Sequence, residues 1–124
     1  MTDQIRNFKT APLVDLPHCH DGIGILNFTD LFAGLEFAAP IRFFHHTILP
    51  VGTSIGMHKH EDDQEFYVVL DGTGIMNLDG TEYPVGPGDV IVNKPFGEHG
   101  LFNTGNTPME LLVFEIKNRV ISLA

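Results

Sequence analysis

Tryptophan is absent from this 124-residue chain, and cysteine occurs once, at Cys19. A single thiol builds neither an internal disulfide framework nor an all-cysteine zinc site, and it suits a reducing compartment. Positive charge is also scarce. Seven Lys and Arg stand against sixteen Asp and Glu, a formal net charge of -9 with His neutral. No cluster of Lys or Arg offers phosphate a basic face, which speaks against nucleic acid as a partner. No apolar run approaches the roughly 20 residues needed to span a bilayer. The N-terminal stretch MTDQIRNFKTAPLVDLPHCH also has no continuous apolar signal region. A cytoplasmic protein without a membrane partner is expected.

What the chain does contain is strand-forming residues at short intervals. Its 13 Gly and 8 Pro separate runs rich in Val, Ile, Phe and Leu. These runs are Ile23 to Phe28, Ile41 to Leu49, Ile55 to His60, Phe66 to Leu70, Gly74 to Leu78, Thr81 to Val85, Asp89 to Val92, Gly100 to Asn103 and Met109 to Ile116. Such spacing predicts an all-β sandwich or barrel. Asp71-Gly72, Asp79-Gly80 and Gly105-Asn106 tolerate the positive φ of tight turns, and Leu78-Asp79-Gly80-Thr81 is the clearest hairpin. Thr29 to Phe37 (TDLFAGLEF) hints at a helix with Asp30 as cap. Because Gly34 weakens that signal, the segment is read as a single helical turn or an irregular loop. The length predicts one domain over 1–124, with an N-terminal arm over 1–25 and a barrel core over 41–116.

The segment Gly52 to Gly72, GTSIGMHKHEDDQEFYVVLDG, carries the chemistry. His58 and His60 are two apart, so on a strand both side chains leave the same face and can converge on one ion. Glu65 follows a short acidic, turn-like stretch and opens the next strand. His99, in KPFGEHGLFN, is a fourth candidate. Neutral imidazoles with a carboxylate suit divalent Fe, Mn, Ni, Co, Cu or Zn, and four protein donors leave positions open for water or substrate.

These residues resemble the cupin superfamily. Gly52, His58, His60, Glu65 and Gly72 match every spacing of its first motif, and Gly88, His99 and Asn103 fit its second. One detail departs: the family's Pro and Gly would fall at Lys94 and Phe96, whereas this chain has them at Pro95 and Gly97. The Gly86-Pro87-Gly88-Asp89 string is also typical. The resemblance implies an antiparallel double-stranded β-helix (jelly-roll) barrel with His58, His60, Glu65 and His99 on one metal inside its mouth. It also implies a homodimer, for which the arm Ala11 to Ile25 would serve as an exchanged strand.

Parity from Glu65 points Tyr67 and Val69 inward, which makes Tyr67 a candidate catalytic group beside the metal. His45 and His46 are adjacent on one strand, so one faces the interior and the other faces out. Spacing alone does not say which, and His46 is the preferred candidate for a general acid/base or a hydrogen-bond partner near the metal. Phe43, Met76, Phe102, Met109 and Phe114 are expected to form an apolar wall. His18-Cys19-His20 looks like a metal-binding tripeptide, but it lies in a Pro-bounded N-terminal segment outside the motif and is read first as a loop or a dimer-contact arm. The expected function is metal-dependent conversion of a small, fairly apolar oxygen-containing molecule, with dioxygenase-like chemistry favoured. The alternatives are a redox-neutral isomerase, lyase or decarboxylase, and a non-catalytic metal- or ligand-binding module.

Overall fold

The computed structural model describes residues 4–33 and 40–117. Among the described residues there are ten strands: β1 (Val14–Pro17), β2 (Ile25–Ala33), β3 (Ile41–Leu49), β4 (Ser54–Lys59), β5 (Asp63–Asp71), β6 (Gly74–Leu78), β7 (Thr81–Val85), β8 (Val90–Asn93), β9 (Glu98–Phe102) and β10 (Met109–Lys117). They form two sheets, one of six strands in the order β1-β2-β3-β10-β5-β8 and one of four in the order β4-β9-β6-β7. Every described pairing is antiparallel. No helix among the described residues is long and apolar enough to cross a membrane.

The core fills the space between the sheets. Leu26, Leu49, Tyr67, Val69, Leu111 and Val113 from the six-stranded sheet meet Ile55, Met76 and Leu101 from the other. Full burial of a Leu or Ile side chain stabilises by about 1.5–3 kcal/mol, so this inner layer is the main driving force for closing the barrel. The β6–β7 hairpin turns at Asp79 (φ 52) and Gly80 (φ 92), the double positive φ of a type I′ turn, and Asn77 Oδ1 accepts the Gly80 amide at 2.8 Å.

The outer face of the six-stranded sheet is also apolar. Phe44, Phe114, Phe66 and Val92 stand in register across four adjacent strands. The Phe114 ring stacks on Phe44 at 5.3 Å and on Phe66 at 4.8 Å. Phe114 therefore belongs to this outer ladder and not to the interior wall expected for it. Phe102 is partly exposed as well, whereas Met76 and Met109 are buried as expected.

Two local expectations change. Residues 29–33 of the segment read as a turn or loop are strand, the end of β2; the remainder, 34–37, lies outside the described residues. Pairing with β3 across a bulge between Asp30 and Phe32 overrides the weak local helix signal. The strand β1 was not expected. It is a short edge strand that ends in Pro17, where a missing amide costs no ladder bond. In the single chain the arm lies on its own barrel: β1 pairs with β2, Arg6 Nη1 donates to the Leu31 carbonyl at 2.6 Å, and Phe8 packs on His46.

Candidate metal centre

The four expected ligands come together, contributed by both sheets. His58 near the end of β4 pairs across the ladder with His99 on β9, and His60 lies just beyond β4, its amide donating to the Gly97 carbonyl at 2.9 Å. Glu65 reaches the same point from β5 in the other sheet, on the inward parity shared with Tyr67 and Val69. His60 Nε2, His99 Nε2 and Glu65 Oε1 lie 3.3 Å from one another. One donor atom from each of the four residues lies within 4.8 Å of every other.

This donor set fits a divalent ion. A triangle with 3.3 Å sides has its centre about 1.9 Å from each corner, close to the roughly 2.0–2.2 Å that first-row ions take from imidazole and carboxylate. The histidine tautomers agree. The Gly56 carbonyl can only accept, so His58 Nδ1 carries the proton of their 2.8 Å contact and Nε2 is left with its lone pair. His60 Nδ1 faces Asp63 Oδ2 at 3.2 Å and Glu115 Oε1 at 3.5 Å, which protonates that nitrogen and turns Nε2 toward the cluster. Arg42 binds Glu115 at 3.0 Å and approaches Asp63 at 3.9 Å. His60, Asp63 and Glu115 form a second group with metal-like spacing. Their charges are already matched by Arg42 and the His60 N–H, so they act as a brace for His60.

The electrostatics favour ligation at His58 and Glu65, while at His60 the metal-free site favours the proton that an ion would displace. Burial lowers the His58 pKa to about 4, so the ring is neutral at physiological pH. Burial alone would raise the Glu65 carboxyl, but hydrogen bonds from His60 and His99 more than offset it and bring it to about 2. The hydrogen bond to Glu65 raises His60. Burial pushes the Tyr67 hydroxyl well above its ordinary value, with Glu65 adding to the effect, so it stays a neutral donor 3.4 Å from His99 Nε2.

The shifted residues before His99 are accommodated by strain. Phe96 takes φ 62, a left-handed conformation, at the position where the family pattern places glycine. Its amide donates to the Glu61 carbonyl at 2.8 Å, and the Gly97 amide donates to the Lys94 carbonyl at 3.1 Å. The turn therefore closes, and His99 arrives with 1% of its surface exposed.

His46 does not join the site. It is buried on the outer face of the six-stranded sheet beneath Phe8, with Nε2 3.1 Å from Glu110. The pleat turns His45 inward instead. His45 stacks on Phe43 at 4.2 Å, its Nε2 lies 2.6 Å from Asp30 Oδ1, and it lines an inner chamber of about 370 Å³ together with Phe43, Thr47, Tyr67 and Glu65. Burial lowers its pKa. A wider mouth of about 730 Å³ lies over the ligands, bordered by Arg42, Lys59, Asp62 and Lys117.

His20 is a residue that sequence reasoning ranked below the motif ligands, as part of a loop or dimer-contact arm. It stacks on His58 with ring centroids 3.6 Å apart and planes at 9°. The turn that carries it is strained: His18 (φ 48), His20 (φ 51) and Asp21 (φ 60) are all left-handed without being glycine, at a cost of about 1–2 kcal/mol each. Close docking on β4 holds the turn in place. A Cβ on Gly22 would meet the Ser54 carbonyl and lie 2.7 Å from the Gly56 amide nitrogen, and one on Gly56 would meet the His20 carbonyl. No local sequence signal announces a contact made through two glycines 34 positions apart.

A β-barrel with an interior three-histidine, one-glutamate centre defines the class of protein. Residues 45–115 match the family model described as "Cupin domain", and the chain belongs to that family. It is 41% identical over 71 residues to an oxalate-binding protein of Thermotoga maritima, a match covering 57% of this chain and 59% of that one. The chain thus spans well under two thirds of that curated relative's length. A solved structure described as a predicted oxalate decarboxylase from Thermotoga maritima superposes with a TM-score of 0.88 at 29% identity, covering 91% of this chain and 98% of that one. A Cupin 2 conserved barrel domain protein from Salinispora arenicola superposes with a TM-score of 0.73 at 21% identity over 92% and 88% of the two chains, a likeness of fold alone.

Proposed function

We propose that this protein is a metal-dependent enzyme acting on a small carboxylic acid with two oxygens placed for chelation, oxalate being the simplest. The observation that carries the reading is the 3.3 Å triangle of His60, His99 and Glu65 with the His58 donor beside it. Three neutral imidazoles and one carboxylate leave a divalent ion with net positive charge and open positions, a setting that favours an anionic oxygen chelator. The names of the Thermotoga proteins, one oxalate-binding and one a predicted oxalate decarboxylase, support the same class. The bound ion would polarise the substrate's oxygens and stabilise negative charge as it develops on them. Tyr67, kept neutral, donates toward the substrate, while His45, backed by Asp30, holds or returns a proton in the chamber. Redox-neutral carbon–carbon cleavage is therefore placed ahead of dioxygenation. The dioxygenase reading keeps support from the apolar part of the chamber, Leu26, Phe43, Ile55 and Val113, which would exclude water from a reactive centre.

The experiment is titration with Mn(II), Fe(II), Co(II), Ni(II) and Zn(II), then with oxalate and larger 2-oxo acids, while oxygen uptake and CO2 release are followed. One ion per chain and acid binding that disappears in His58→Ala and Glu65→Gln are expected. CO2 release without oxygen uptake supports the lyase reading; stoichiometric oxygen uptake moves the assignment to an oxidase if H2O2 is formed and to a dioxygenase if 18O from O2 enters the product. A loaded protein that binds acids without turning them over is a binding module.

We also propose a cytoplasmic homodimer. The half-buried outer ladder, continued by Val90 and Val92 at 61% and 40% exposure, supplies an apolar face for a second copy.

A further inference from the structure

His20 is not among the four ligands, yet its ring lies flat against one of them. We propose that His20 is a positioning residue of the metal centre: the 18–22 turn is a strap that fixes the ring plane of His58 and thereby sets how tightly the ion is held. The inference rests on the metal reading above and adds a residue upstream of both motifs.

Three observations carry it. His58 is the least buried of the four donors, the other three being buried, so its ring needs support from outside the core. Its Nδ1–H is held by the Gly56 carbonyl at 2.8 Å, which constrains one edge of the ring. The stack with His20, 3.6 Å between centroids and nearly parallel, constrains the face. Edge and face together leave one orientation for Nε2.

The strap is also built to hold its place. The His18 amide donates to the Gly24 carbonyl at 2.9 Å, the Gly22 amide to the Cys19 carbonyl at 2.9 Å, and the Ser54 amide on β4 to the Ile23 carbonyl at 2.9 Å. Ser54 Oγ accepts the Ile23 amide at 2.9 Å. Three left-handed residues in one short turn persist only where their surroundings over-determine them, and here backbone-to-backbone docking of Gly22 on Gly56 does so. The same Gly56 carries the carbonyl that holds His58. One residue of β4 thus ties the strap and the ligand together.

The test compares wild type, His20→Ala, His20→Phe and His58→Ala by Co(II) titration, with the visible Co(II) spectrum and NMR of the histidine ring protons in metal-free protein as second readouts. Partners that orient a ligand typically account for about ten- to a hundredfold in metal affinity. His20→Ala is expected to weaken Co(II) binding by that order and to move the His58 ring resonances. His20→Phe keeps a flat ring without a ligand nitrogen and is expected to restore the wild-type constant and spectrum. An unchanged constant in His20→Ala overturns this proposal and leaves the metal reading standing. A His20→Phe variant as weak as His20→Ala, with an altered Co(II) spectrum, overturns it in favour of direct ligation by His20. Wild type that binds none of the ions, as His58→Ala is expected to behave, overturns the metal reading and this proposal with it.

Discussion

Glu65 Oε1 lies 3.3 Å from His99 Nε2, although Glu65 belongs to the six-stranded sheet and His99 to the four-stranded one. The centre is therefore a joint between the two layers of the barrel, and its integrity reports on their packing.

Tyr67 separates structure from chemistry. Its ring is in the core at 1% exposure, while its hydroxyl points at His99 from 3.4 Å. Tyr67→Ala should cost about 3–5 kcal/mol in urea unfolding through loss of a buried aromatic. Tyr67→Phe removes only the hydroxyl and should stay within about 1.5 kcal/mol of wild type. If the hydroxyl assists the reaction, Tyr67→Phe will lower kcat while metal content stays at one ion per chain.

Phe96 carries a strain that can be relieved. A left-handed non-glycine residue costs about 1–2 kcal/mol, and glycine's extra freedom in the unfolded chain returns about 0.5–1 kcal/mol of that. The side chain is 63% exposed, so little packing is lost. Phe96→Gly should therefore raise stability by about 0.5–1 kcal/mol in denaturant unfolding, with metal affinity unchanged.

Acid should weaken the metal-free protein in a defined window. Glu65 sits at about 2 in the fold against an ordinary 4.5, so its contribution is fully present above pH 4.5 and fades as pH falls toward 2. At about 1.4 kcal/mol per pH unit the effect is at most about 3–4 kcal/mol. Urea unfolding of chelator-treated wild type should show this loss, and Glu65→Gln should not show it.

Association through the outer ladder is testable by charge. Val90→Glu combined with Val92→Glu places two carboxylates beside Phe66 and Val68, their partners in the β5–β8 ladder. Sedimentation should show wild type at twice the 13.7 kDa chain mass and the double variant at the chain mass. Wild type at 13.7 kDa across concentrations sinks the dimer.

Much of the fold and most of the site were legible in the chain because both follow from short-range periodicity. Alternation marks a strand whatever it pairs with, and the spacing of His58, His60 and Glu65 needs only two strands and a turn between them. The β3, β6 and β7 limits coincide with the expected runs for that reason. The β1 strand and the end of β2 were missed, because there the partner strand decides the conformation.

Sequence alone determined every described strand except β1 and the inward parity of Glu65, Tyr67 and Val69, which follow from a fixed period of two. The four candidate donors came from the strand spacing of His58 and His60 together with the resemblance to the cupin motifs. Only the tertiary structure decided that His45 faces the chamber while His46 faces outward beneath Phe8, since two adjacent residues always split between the faces and only the packed layers say which is inside. Only the tertiary structure, too, brought His20 onto His58. That contact depends on two backbones approaching at Gly22 and Gly56, and no pattern within either segment records such an approach.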